Sequence, residues 1–149
     1  EQILDEVQRN LPKVGITPER AAHRVSVMRD AFGEAALVDD FDHLIEDMTC
    51  DAKDRHVLAV AVQAEADLVV TFNLKDFPPA SITDLGLDVV HPDTFLTSLL
   101  AEDPVGVLQA LRNGCAELQN PTQTVRQFLS SLIPTVPVFA NLAADLLHT

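Results

Sequence analysis

Three carboxylates stand where they could do chemistry. Within residues 51–78, DAKDRHVLAVAVQAEADLVVTFNLKDFP, Asp54 comes just before one apolar run and Asp76 just after another. If the first run is a helix and the second a strand of a parallel sheet, both acids emerge at one sheet edge. Clustered carboxylate oxygens of that kind are what a hard divalent cation takes. Glu6 lies beside the apolar stripe of Ile3, Leu4, Val7 and Leu11, whereas Asp5 points away from it, so Glu6 can border a cleft. Local residue types leave a second reading for each acid. Asp54 is equally a helix cap, Glu6 a solvated side chain, and Asp76, ahead of Phe77, Pro78 and Pro79, a turn former. Asp51 reads as a cap or loop residue, and His56, with no second ligand one helical turn on, as structural.

The elements that must hold these acids follow from periodicity. Every residue from 57 to 62 is apolar, which predicts a helix buried on most sides. Leu68, Val69, Val70, Thr71 and Phe72 are β-branched, aliphatic or aromatic, and predict a short core strand. Ligands gather beyond the carboxyl ends of parallel strands, where Asn73, Lys75 and Asp76 would emerge. Residues 1–10 predict a helix, and 17–32 a second one opened by Thr17, Pro18 and Glu19. Residues 35–38 and 87–90 read as further short strands, and the acids Asp39, Asp40, Asp42, Glu46 and Asp47 as a solvated loop or helix. Beyond residue 92 the chain reads as helical, near 93–101, 104–118, 122–132 and 137–147, broken by Pro104, Pro121, Pro134 and Pro137. Leu108, Leu111, Cys115 and Leu118, and again Phe128, Leu129 and Leu132, recur at helical spacing and predict packing faces. An apolar groove among these helices could take an amphipathic helix from a partner. The organisation expected is therefore an α/β domain over 1–92 and a helical extension over 93–149 packed on it.

Composition sets bounds. A chain of 149 residues with 47% hydrophobic content suits one globular domain with a substantial core. Its formal charge of −13, from 10 Lys plus Arg against 23 Asp plus Glu, counts against broad, nonspecific binding of polyanions. Yet Arg9, Lys13, Lys53, Arg55 and Lys75 lie within a few positions of the three acids, so a local basic rim is compatible with the pattern, as are ordinary solvated charges. Cys50 and Cys115 show no paired metal spacing and read as reduced thiols. No stretch approaches the ~20 apolar residues of a membrane span, and a cytoplasmic location is the default expectation. With no Trp or Tyr and seven Phe, an aromatic base-stacking platform is not expected.

The stretches DRHVLAVAV and ADLVVTFNLKDFP resemble the second half of a PIN domain, in particular the bacterial PIN proteins akin to VapC toxins. ILDEVQRNL resembles the helix that supplies that family's glutamate, here Glu6, and VVHPDTFLTSLLAEDPVGVLQALR is similar to the tail of one PIN subgroup. The resemblance implies a three-layer α/β/α fold with a parallel sheet whose amino-terminal part is missing from this chain. By that resemblance about 40 residues, carrying a first strand that ends in an Asp, should precede Glu1. It implies a Mg2+- or Mn2+-dependent ribonuclease, the toxin of a toxin–antitoxin pair, with Glu6, Asp54 and Asp76 as metal ligands and Asn73 beside them as a catalytic-site residue. Many family members read Thr-x-Asp after the strand, whereas this chain has Thr71, Phe72 and Asn73, with Asp76 three residues on. Asn73 adds no negative charge, so Asp76 is the preferred ligand. Arg9, Lys53, Arg55, Lys75 and Thr71 become candidate substrate contacts. RNA, an antitoxin protein and a second copy of the chain are the partners implied, and this chain alone is expected to be one metal ligand short. The alternative is a noncatalytic PIN-like module that binds protein or RNA.

Overall fold

The computed structural model describes residues 2–33, 37–117 and 123–147. The protein is mixed α/β, mostly helical, with a parallel pair of short strands. Its elements are α1 (Gln2–Asn10), α2 (Pro18–Phe32), α3 (Arg55–Gln63), β1 (Leu68–Val70), α4 (Pro79–Ile82), β2 (Asp88–Val90), α5 (Pro92–Glu102), α6 (Pro104–Glu117), α7 (Val125–Leu132) and α8 (Pro137–Leu146), with short 3₁₀ turns between several of them. They pack as two compact units. One comprises Glu1–Asp67 with Asp76–Leu87, the other Leu68–Lys75 with Asp88–Thr149. The predicted division at 92/93 and this packing division differ in where they put the strands: β1 and β2 pack with the carboxy-terminal helices.

In the first unit, helix α2 begins as its sequence predicts: the Thr17 hydroxyl accepts a hydrogen bond from the Arg20 N–H at 3.4 Å, and Pro18 occupies the first turn. The apolar stripe of α1 turns inward, with Ile3 and Leu4 lining one cavity together with Met28 and Phe32 of α2 and Val60 of α3. Helix α3 buries His56, Leu58, Ala59 and Ala61, and leaves none of residues 57–62 exposed, as an all-apolar run requires. The acidic stretch forms a 3₁₀ turn at Asp42–Asp47 with Asp39, Asp40, Asp42, Glu46 and Asp47 all exposed, so it is a solvated face.

In the second unit, β1 and β2 pair in parallel with Val69 opposite Val89, and the Thr71 N–H extends the ladder to the Val90 carbonyl at 3.0 Å. β1 is shorter than the predicted run and only Val69 of its three residues is buried, because a lone strand pair has just one neighbour to cover each face. The helices begin on chemistry legible in the sequence. Pro92, Pro104 and Pro137 occupy first positions. Thr124 and Gln127 form a reciprocal capping box on α7. Asp103 caps α6 by accepting from the Gly106 N–H at 2.8 Å, and a side chain at Gly106 would run into that carboxylate. Helix α8 has no cap of its own, so Asp93 of α5 supplies one, accepting from the N–H groups of Val138 and Phe139 at 3.1 and 2.8 Å. The core beneath consists of Leu100, Leu108, Leu129, Val136, Phe139 and Ala143.

Of the expectations for the remaining residues, Glu1, Ala35, Ala36, Leu118, Pro121 and Thr122 lie outside the described residues, and the described pair Leu37 and Val38 is not in a strand. Cys50 and Cys115 are both free and buried. No helix of the described residues is long and apolar enough to cross a membrane.

Candidate functional site

The loop before α3 is shaped by Asp51. Its carboxylate accepts from the Lys53 N–H at 3.1 Å and its carbonyl from the Asp54 N–H at 2.9 Å, which makes it the turn former the sequence suggests. The Asp51 N–H donates in turn to the Asp76 carbonyl at 3.3 Å, binding this loop to the segment that carries Asp76. Asp54 holds the cap position of α3, yet its side chain makes no capping hydrogen bond. That disposes of its local alternative: the carboxylate is turned to another use.

That use is a meeting with Asp76. The two carboxyls are in mutual contact, and burial, followed by the proximity of Asp76, pushes Asp54 above the usual carboxylate range while Lys53 pulls it down. The Asp54 Oδ2 is buried with no hydrogen-bond donor. The Lys53 ammonium lies 3.0 Å from Asp76 Oδ2 and 3.9 Å from both Asp54 Oδ2 and Asp51 Oδ1. Its hydrogen bond to Asp76 and the surrounding acids hold its pKa above the ordinary lysine value. The side chain of Asp76 is 11% exposed and that of Asp54 23%, so this is a partly desolvated acid pair with one lysine bridging it.

Glu6 lines a recess shared with Asp54 and Lys53, together with Arg9, Asn10 and Lys13. Its carboxylate is 3.7 Å from Nε2 of the buried His56, an atom with no hydrogen-bond partner. Glu6, Asp54 and Asp76 therefore belong to one neighbourhood, but not to one point: among the described residues, no three His, Cys, Asp or Glu side chains stand close enough to hold an ion together. Two contacting carboxylates with an unserved oxygen fit a hard cation that keeps several waters, as magnesium does. Glu6 lines the same recess.

The other sequence candidates divide. Arg55 opens α3, half-buried, its Nε without a hydrogen-bond partner. Thr71, Asn73 and Lys75 belong to the strand-bearing unit, where the Thr71 hydroxyl accepts from the Asn73 N–H at 3.1 Å and Lys75 is exposed. Sequence reasoning placed Lys13 in a basic rim, and missed the bridging role of Lys53, the approach of His56 to Glu6, and Asn10 as a recess wall. The last was findable, because 6, 9, 10 and 13 fall on one helical face.

Comparison with known proteins bears on both units. A family model for the VapC50 C-terminal domain matches residues 92–145. A Mycobacterium tuberculosis protein named "Putative ribonuclease VapC50" is 34% identical over 106 residues, covering 71% of this chain and 63% of that protein. The chain thus spans a little under two thirds of the length of the curated relative it matches. No solved structure matches it.

Proposed function

The chain belongs to the VapC-type PIN proteins, and from that premise we propose that it is a metal-dependent ribonuclease that hydrolyses RNA phosphodiester bonds as the toxin of a toxin–antitoxin pair. The observation that carries the reading is the Asp54 carboxylate, which forgoes its helix cap, contacts Asp76 and keeps a buried oxygen without a donor. A folded protein tolerates two touching acids only where something offsets their repulsion. Here Lys53 does so in part.

In this reading Asp54 and Asp76 would hold Mg2+ or Mn2+, with Glu6 lining the same recess. Such an ion lowers the pKa of a bound water and neutralises charge on a phosphoryl group under in-line attack. The chain's own residues do the rest. Asp54 and Asp76 present oxygens on a floor too dry to solvate them fully, and the Glu6 carboxylate, 43% exposed, can accept a proton from an attacking water. His56 is buried beside Glu6, its Nε2 3.7 Å from that carboxylate. Lys53, Arg9 and Arg55 supply positive charge for the substrate backbone, and Lys75 and Thr71 are further candidate contacts. The same reading carries a three-layer PIN sandwich over 1–92, with 93–149 as its helical extension, and an antitoxin or a second copy as protein partner in the cytoplasm.

One set of observations favours a noncatalytic PIN-like module instead: Lys53 already neutralises Asp76, Asn73 carries no charge, and no three-acid cluster forms among the described residues. RNA cleavage separates the two readings. Full-length protein incubated with RNA in Mn2+ should cut it, and Asp54→Asn should slow cutting by about 10²-fold or more. Equal cutting by both proteins removes Asp54 from the mechanism, and none by either favours the binding module.

A further inference from the structure

The acid pair accounts for one wall of the recess, and the opposite wall has chemistry of its own. Glu6, Arg9, Asn10 and Lys13 follow one another at helical spacing along α1 and into the 3₁₀ turn Leu11–Val14, back to back with the stripe Ile3, Leu4, Val7 and Leu11 that faces the apolar interior. With Lys53 and Asp54 they line an open recess of about 340 Å³, at the low end of small-ligand pockets, ~300–1,000 Å³.

Three of the chain's ten basic side chains converge on this space in a protein of formal charge −13. Lys53 is occupied by Asp76. Arg9 and Lys13 are not so occupied. The Arg9 Nε donates to the Asp5 carbonyl at 3.2 Å and the Lys13 Nζ to the Asn10 side-chain oxygen at 2.7 Å, and among the described residues neither cation has a carboxylate partner. Both bonds are to neutral oxygens. They aim the side chains without neutralising them, and leave the remaining N–H groups of each for an anion. The tight turn sets Lys13 one turn beyond Arg9, with Pro12 within it and Gly15 closing it in the left-handed conformation.

We propose that Arg9 and Lys13, with Asn10 holding the lysine, form a clamp for backbone phosphates of single-stranded RNA beside the acid pair. A planar guanidinium and a point-like ammonium on neighbouring turns suit successive phosphodiesters. Asp54 on the facing wall and Glu6 one turn before Arg9 repel the same phosphates, so the strand is held toward Arg9 and Lys13, and only a phosphate carrying its own cation approaches the acids. The choice of RNA as the polyanion rests on the ribonuclease reading; the clamp itself rests on the recess.

The test is binding of a fluorescein-labelled single-stranded RNA to the full-length protein in EDTA, across a KCl series, where no divalent ion is available and cleavage plays no part. Each phosphate contact on a single strand contributes about 0.7 to the slope of log affinity against log salt. Arg9→Gln and Lys13→Gln should each flatten the slope by about 0.7 and weaken binding about fivefold near 0.1 M salt, and the double variant should lose about 1.4. Asn10→Ala should give a smaller loss, and none when added to Lys13→Gln. Arg112→Gln, an exposed arginine of α6 outside the recess, should leave the slope alone. A wild-type slope in the double variant, an equal loss in Arg112→Gln, or no RNA binding by the unaltered protein each overturns the clamp. Loss of slope in the double variant together with no cleavage in Mn2+ would leave the clamp standing and overturn the ribonuclease.

Discussion

In the strand-bearing unit six buried side chains, Leu100, Leu108, Leu129, Phe139 and Ala143 from four helices and Val136 from the cap of α8, gather into a single cluster. The other unit buries Val25, Met48, Leu58, Phe77 and Leu87 too, but intersperses them with the small Ala21, Cys50, Ala59 and Ala61 and the polar His56 and Ser81. It also keeps unserved polar atoms at Asp54 and His56. Apolar surface in the first case is removed from water wholesale, a non-directional gain. In the second, polar groups are held half out of water at a cost. The contrast teaches where the chain keeps its stability and where it spends it: groups that must meet charged ligands cannot also be optimally solvated or paired beforehand.

The largest expected effect that would break this comparison is on the apolar side. Leu129, 1% exposed, should cost about 2–5 kcal/mol when replaced by Ala, read by urea denaturation. A loss under about 1 kcal/mol would mean that the cluster does not carry that unit. Next comes Asp93→Ala, which removes the acceptor for two N–H groups opening α8. It should cost about 1–2 kcal/mol in the same measurement, whereas substitution of the exposed Asp84 should not. The smallest effect sharpens the other side. Because burial and Asp76 raise the pKa of Asp54, its contribution to stability is present while it is protonated and is lost as pH rises through its folded-state pKa. Asp54→Asn, in EDTA, should therefore melt slightly above the unaltered protein at pH 7, with the gap closing as pH falls toward the carboxylate range. A variant that melts lower at pH 7 would show the acid to be a stabilising group after all.

Much of the scaffold was legible because its signals are local. Thr17 with Pro18 starts α2, the proline-led starts frame α5, α6 and α8, and the run at 57–62 marks the buried α3. What escaped was set by side chains reaching across loops. Nothing in the periodicity of β1 and β2 says which helices they pack with, since three-residue strands carry too little pattern to specify a face. Asp54 illustrates the same limit at the site. A capping acid and one turned away from its helix look identical in sequence, and only the missing bond to its own helix separates them. Lys53 reads as one more solvated charge until the turn at Asp51 folds its ammonium back onto Asp76.

The polypeptide changes unit three times, after Asp67, after Lys75 and after Leu87. No single crossover point in a gene could therefore transplant either unit intact: a recombinant joined before β1 would carry off helices without the Asp76 segment, and one joined after β2 would strand β1 and β2 apart from the helices they pack with.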